Sequence, residues 1–445
     1  MHLLKWLYPG MRFKRWLLLF AGGVMLASLG IAVVFNYKYI DNIEEAIFKA
    51  VYLWSGSYDY TFTALVGMLM VLLGFGVMLV AARFVIRSVI TVLLPANSSE
   101  KLVDLIYEKR KLGKGPAITV VGGGHGLSVL LRGIKQATSN VTAVVTVADD
   151  GGSSGRLREE LGMIPPGDLR NCLVALADTE PLMEKLFQHR FEGDSQLSGH
   201  SFGNLFIAAM AQVTGDVETA LKESSKVLAV KGRVLPASKE FVRLDAIMED
   251  GSIVCGESKI PEANKKIHRV KLFPEHVEAV QSSLDALRDA EAIVLGPGSL
   301  YTSIMPNLLV EGIGDALCRS KAVKIYICNV MTQPGETGGY TVSDHLKALI
   351  DHVGGGVIDF VLANNAVPKD DVLKKYEKVH AAPVKIDREK VKRMGVQLIE
   401  ADLLGPLRGA TQDTKVLTEE LAQIHNLLKV NIPPEALEEY LKRSH

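Results

Sequence analysis

The sequence predicts an α/β protein: a Rossmann-like parallel sheet with helices on both faces, a small antiparallel β insertion and, ahead of both, a two-helix transmembrane hairpin. Three observations carry this reading. From residue 118 onward short apolar runs alternate with longer amphipathic ones, the pattern of parallel strands joined by crossover helices. Two of those runs end in Gly-rich loops, Gly122-Gly-Gly-His-Gly126 and Asp149-Asp-Gly-Gly-Ser-Ser-Gly155. Before them stand two uncharged stretches, residues 17–35 and 62–82.

Each uncharged stretch approaches the roughly 20 residues that cross a bilayer. A signal peptide is the rival for the first, but it lacks an Ala-x-Ala cleavage site and a second span follows soon after. Basic residues set the orientation. Lys5, Arg12, Lys14 and Arg15 precede the first span, and Arg83 and Arg87 follow the second. The loop between carries Asp41, Glu44, Glu45 and Asp59 against Lys38 and Lys49. Both ends are therefore expected in the cytoplasm, with residues 43–54 as an interfacial helix. The chain is read as a multi-pass protein of the cell membrane whose partner there is the lipid bilayer.

Residues 1–87 then form the anchor, 88–115 a connector, 116–430 the main domain and 431–445 a tail. Strands are expected at 118–122, 142–148, 292–296, 322–328 and 357–363. Helices are expected at 126–137, 168–177, 181–190, 203–213, 217–227, 275–290, 341–352 and 418–428. Residues 241–257 read as a hairpin about an Asp250-Gly251 turn. They mark an antiparallel insertion over about 230–273 that either caps the site or mediates self-association into a homo-oligomer. With 50 basic and 50 acidic side chains the net charge is zero, so nothing points to nucleic acid. Cys172, Cys255, Cys318 and Cys328 show no metal-ligand spacing, sit in apolar runs and read as small buried thiols in a reducing compartment.

The first glycine loop matches neither G-x-G-x-x-G, because Leu127 and Val129 occupy the third glycine positions, nor the P-loop, because no Lys-Ser/Thr follows. Its chemistry still suits phosphate. Gly123, Gly124 and Gly126 bring backbone amides close to a ligand, with His125 among them, and a helix N-terminus follows. The bland alternative is a tight strand–helix turn. Asp149 and Asp150 end the next strand. They either hold Mg²⁺ with a diphosphate, bond sugar hydroxyls, or cap their own loop, where Gly152, Ser153 and Ser154 add donors.

Beyond them, Asp168 reads as an N-cap, with Arg170 and Asn171 in the first turn; Arg170 suits a phosphate or a local bridge. His200 and Asn204 lie four apart at a helix start, hence on one face. Gly296, Gly298 and Ser299 make a third loop after an apolar strand. Tyr301 offers a flat face to a base or sugar, or simply packs against the next helix. Asn329 ends a further strand, and Gln333 and Glu336 follow in its loop. No Ser-His-Asp or His-Glu-x-x-His arrangement is visible.

Five motifs taken together resemble the gluconeogenesis factor family, the YvcK-type proteins related to the 2-phospho-L-lactate transferases (CofD). They are Gly-Gly-Gly-His-Gly-Leu-Ser at 122–128, Val-Ala-Asp-Asp-Gly-Gly-Ser-Ser-Gly-Arg at 147–156, Pro-Pro-Gly-Asp-Leu-Arg-Asn at 165–171, Gly-His-Ser-Phe-Gly-Asn at 199–204 and Gly-Pro-Gly-Ser-Leu-Tyr at 296–301. The resemblance implies UDP-N-acetylglucosamine as ligand, no required cofactor, no catalytic residue and a role in cell shape and peptidoglycan synthesis, with cell-wall synthesis proteins as partners. It makes the residues named above, including Tyr301, Asn329 and Gln333, expected contacts of a nucleotide sugar. The alternative is a CofD-like Mg²⁺-dependent transferase with Mg²⁺ on Asp149 or Asp150. A nicotinamide dehydrogenase is a third reading, without its fingerprint.

Overall fold

The computed structural model describes residues 14–35, 49, 52–53, 60–93, 112–178, 181–194, 196–368 and 370–404. The chain divides into two units, Met1–Tyr107 and Glu108–His445.

In the first unit the two uncharged stretches are helices, Lys14–Phe35 and Tyr60–Leu93. Their apolar cores, Arg15–Val34 and Ala64–Arg87, are 20 and 24 residues long, enough to cross a membrane. Glycines let the two backbones approach. A Cβ on Gly30 would lie 2.7 Å from the Gly67 carbonyl oxygen, and one on Gly74 2.6 Å from the Ala27 nitrogen. Small residues at such a contact are the usual means of close helix packing in lipid. Leu18, Met25, Leu72 and Leu79 point outward, unburied. The interfacial helix expected at 43–54 lies almost wholly outside the described residues, as do the helix expected at 418–428 and the tail.

The second unit is built on a seven-stranded parallel sheet. In chain order its strands are β1 (Ile118–Gly122), β2 (Val141–Val145), β3 (Arg233–Pro236), β7 (Ala292–Leu295), β8 (Val323–Ile327), β9 (Phe360–Asn364) and β10 (Gln397–Ala401). The three between, β4 (Arg243–Met248), β5 (Ile253–Cys255) and β6 (Ile267–Phe273), form a separate antiparallel sheet in the order β5-β4-β6. The main sheet runs β10-β9-β8-β7-β1-β2-β3. β1 pairs in parallel with β2 on one side and β7 on the other. The chain thus winds outward from β1 in one direction, then returns beside it to wind the other way. The crevice between β1 and β7 is the topological switch point, where ligands of open α/β sheets bind.

Near-continuous apolar strands are expected where both faces are covered. Val120, Val121, Val144, Ile293, Leu295 and Tyr326 are accordingly buried, with Leu127, Leu130, Leu131 and Ile134 of the helix Gly124–Ala137 packed in the same core. That helix presents these residues at i, i+3, i+4 and i+7, the spacing of one buried face.

Three expectations are corrected. Cys255 and Cys318, expected inside, are exposed, whereas Cys172 and Cys328 are buried. Residues 233–236, placed inside the antiparallel insertion, belong to the main sheet: Thr142 pairs with Arg233 and Val144 with Leu235 in parallel register. A four-residue strand carries too little pattern to reveal its partner. The acidic loop also runs directly into the helix Gly152–Leu161, so Gly152, Ser153 and Ser154 are its first turn and not a loop before it.

Candidate functional site

The site grows from strand ends. β1 ends at Gly122; Gly123 is extended, Gly124 takes φ +70, and the helix begins there. β7 ends at Leu295, and Gly296 takes φ +84. The two loops press together. A Cβ on Gly126 would sit 2.7 Å from the Pro297 carbonyl oxygen, and one on Gly298 3.3 Å from that of Gly123. Glycine is needed here because backbone meets backbone. Between and beyond the loops is a cavity of about 370 Å³. Gly123, Gly124, His125 and Gly126 form one wall, and Gly298, Ser299, Asn329 and Gln333 another. Gln333 Nε2 donates to Ser299 Oγ at 2.7 Å, and Asn329 Nδ2 to Gln333 Oε1 at 3.4 Å. Asn329 Oδ1 is buried without a partner. An acceptor left in this way is costly unless a ligand or water meets it.

Next to the cavity lies a cluster of carboxylates. Asp168 is not the N-cap, a position held by Pro166. It stands in the first turn of Gly167–Leu176 and accepts the Gly124 N–H. A Cβ on Gly123 would come within 2.6 Å of its Oδ2. Burial, then the charge of Asp149, push the Asp168 carboxyl up to about 6. Asp149 is also raised, by burial first, although the Gly151 N–H (3.0 Å) and Ser154 oppose this. Asp150 turns to the insertion and accepts the Ser258 N–H at 2.9 Å. The same turn brings Glu257 among Asp149, Asp150, Glu336 and Asp168. Burial and these four charges push it up to about 8. The insertion therefore reaches over the acidic loop as a cap. Arg158, over the Phe241 ring at 4.0 Å, adds a second tie to the segment leading into β4.

Glu257, Ser258 and Arg158 were not among the residues singled out from sequence. Glu257 follows a hairpin with no motif around it, and only the folded insertion brings it to Asp149.

The third group is a buried polar network. Asn204 Nδ2 donates to Ser153 Oγ at 3.1 Å, and Ser153 Oγ lies 3.0 Å from His200 Nδ1. Burial lowers the His200 pKa, which favours the neutral ring beside Ser153. His200 precedes the helix Phe202–Thr214, whose N-cap is Ser201, yet still meets Asn204 on Ser153. Arg170 forms the local bridge, the alternative to a phosphate contact, while its Nε is buried without a partner. Its Nη1 donates to Ser201 Oγ and to Asn204 Oδ1 (3.0 Å), and its Nη2 to Asn171 Oδ1 (2.8 Å). Buried in this network, the guanidinium organises its neighbours.

Tyr301 is placed apart from the glycine loops. Residues Leu300–Ile304 wind into a π-turn that sends the ring inward, leaving it 2% exposed. Its hydroxyl meets that of Tyr340 at 2.9 Å, and it lines a different cavity from the glycine loops.

Mg²⁺ takes hard oxygen donors, and the spare oxygens of Asp149, Asp150 and Glu257 have that chemistry. Among the described residues no three His, Cys, Asp or Glu groups converge as a metal site. A Mg²⁺ here would be held in the other common way, by one or two carboxylates together with a ligand phosphate.

A family profile described as 2-phospho-L-lactate transferase CofD matches residues 118–404. The gluconeogenesis factor of Halalkalibacterium halodurans is 54% identical over 314 residues, 71% of this chain and 94% of its own. That of Bacillus subtilis is 54% identical over 293 residues, covering 66% and 92%. A Nostoc sp. protein given that name provisionally is 47% identical over 404 residues, 90% of this chain and 87% of its own. That match is longer than Glu108–His445 and so extends into the first unit. The crystal structure of protein BH3568 from Bacillus halodurans superposes with a TM-score of 0.67 at 52% identity, covering 70% of this chain and 99% of its own. With its sheet, its glycine loops and these relatives in agreement, the chain belongs to the gluconeogenesis factor family, in the wider CofD group.

Proposed function

We propose that this protein is a membrane-tethered regulator that binds UDP-N-acetylglucosamine and adjusts peptidoglycan synthesis and cell shape, above all in gluconeogenic growth. The observation that carries the binding half is the closure of two glycine loops at the switch point around a cavity lined by Ser299, Asn329 and Gln333. First-turn amides of Gly124–Ala137 beyond that of Gly124, whose N–H Asp168 takes, meet the diphosphate, helped by the positive helix end. The amides of Asn329 and Gln333 meet the uracil or the sugar. The role in envelope synthesis rests on the family.

Isothermal titration with UDP-N-acetylglucosamine tests the binding. Gly124→Val abolishes it, because a branched residue disfavours φ +70 and its side chain enters the open cavity, where only Ser303 Oγ lies within 4 Å of the new Cβ. Binding by the wild type persists without Mg²⁺ and yields no product. Unchanged affinity in a folded Gly124→Val protein would put the ligand elsewhere.

A transferase reading draws on one specific feature, the buried Glu257 carboxyl, pushed up to about 8 by burial and by the charges of Asp149 and Asp150. Groups that hold a proton near neutral pH suit general acid–base work. Mg²⁺-dependent consumption of a nucleotide diphosphate donor, lost in Glu257→Gln, would favour it over the regulator.

The tether is tested by reporters. A fusion after Arg87 reports the cytoplasm and one near Asp41 reports the exterior, as the basic flanks require. An exported domain would be cut off from cytosolic nucleotide sugars and would defeat the proposal.

A further inference from the structure

A second cavity, of about 510 Å³, opens between the antiparallel sheet and the helix Val342–Val353. It shares no lining residue with the glycine-loop cavity. Its buried polar lining is Glu336 and Tyr301. Glu336 is 6% exposed; its Oε1 accepts from Thr302 Oγ1 at 3.2 Å, while Oε2 is buried without a partner. Burial pushes this carboxyl up to about 7, so near neutral pH it can give or take a hydrogen bond. The Tyr301 and Tyr340 hydroxyls bond each other, which leaves one of their two protons for a ligand. His352, on the same wall, is fully used: its Nε2 accepts the Val270 N–H at 3.1 Å and its Nδ1 donates to the Ala348 carbonyl at 2.7 Å.

The rim balances Lys265, Lys266 and Lys347 against Glu249, Asp344 and Asp351. Lys265 is already tied to Asp250 at 2.7 Å, and Asp344 is spent capping Thr341. Such a rim does not select an anion, unlike the helix N-termini at the glycine loops.

We propose that this cavity is a second ligand site for a neutral, polyhydroxylated molecule of sugar size, bound through hydroxyls to Glu336 and to the Tyr301–Tyr340 pair. Two segments separate it from the first cavity. Ser299 and Gln333 face the glycine loops, whereas Tyr301 and Glu336 face this site. The bonds Gln333–Ser299 and Thr302–Glu336 tie the same two segments together.

Saturation-transfer NMR on the full chain in lipid nanodiscs tests this with D-glucose, N-acetylglucosamine and myo-inositol, and with glucose 6-phosphate as the charged comparator. At least one neutral probe binds, and glucose 6-phosphate binds no better than glucose. Tyr340→Phe weakens binding about threefold or more, and Ala348→Met, which fills the cavity from the helix, tenfold or more. Gly124→Val leaves it intact. Circular dichroism verifies that each variant is folded. Four results would overturn the site: no neutral probe binding, tighter binding of the phosphate, indifference to both cavity variants, or loss in Gly124→Val. None of these depends on whether UDP-N-acetylglucosamine binds the glycine loops.

Discussion

Glu257→Gln stabilises the protein at pH 9 and leaves it unchanged at pH 4. The wild-type carboxyl titrates at about 8 in the folded protein, against 4.5 as its ordinary value. A group raised in this way favours the folded state fully below its unfolded pKa, and that advantage is lost as pH rises through the folded value. The window is therefore pH 4.5 to 8, with Glu336 (about 7) and Asp168 (about 6) titrating within it. Gln cannot ionise, so the variant escapes the loss that Glu257 itself contributes, on the order of a few kcal/mol at pH 9. A shallower decline remains from the other two. Urea denaturation at pH 4, 7 and 9 reads the difference. Parallel curves for the two proteins would show that Glu257 does not sit among the four carboxylates, and would remove the cap from the site.

Arg170→Met destabilises the fold by about 3 kcal/mol or more. The guanidinium satisfies Ser201, Asn204 and Asn171, and the first two of these are buried. Hydrogen bonds to a charged group contribute roughly 1.5–3 kcal/mol each, and acceptors stranded in the interior carry their full desolvation cost. Met fills much of the volume, which separates lost bonding from a cavity effect. Its neighbours Ser153 and His200 lose their alignment as well, so any ligand resting on them binds more weakly. A loss under 1 kcal/mol would mean that the network is not as drawn, and would return Arg170 to the phosphate-facing role.

The sequence by itself determined whatever is written in neighbouring residues. The apolar runs of β1, β2, β7, β8 and β9, the glycine loops at two strand ends and the two long apolar helices all follow from composition and period within a short window. So does the Asp250-Gly251 turn, where Gly251 takes φ +81. The common strand edge explains why Gly123, Gly124, Gly126, Gly298, Asn329 and Gln333 meet although they are spread over two hundred residues: parallel strands put all their C-terminal loops on one side. Only the tertiary structure decided which loop side chains face that edge. The turn of Leu300–Ile304 carried Tyr301 into another cavity, and the pairing of β3 with β2 drew residues 233–236 out of the insertion. The bond from Ser258 to Asp150 spans 108 positions and brings Glu257 onto the acidic loop. Arg170 lost its freedom to contacts with Ser201 and Asn204, which lie 31 and 34 residues away. Contacts of that separation leave no periodic trace, because they depend on how packed elements cross and not on the residues beside them in the chain.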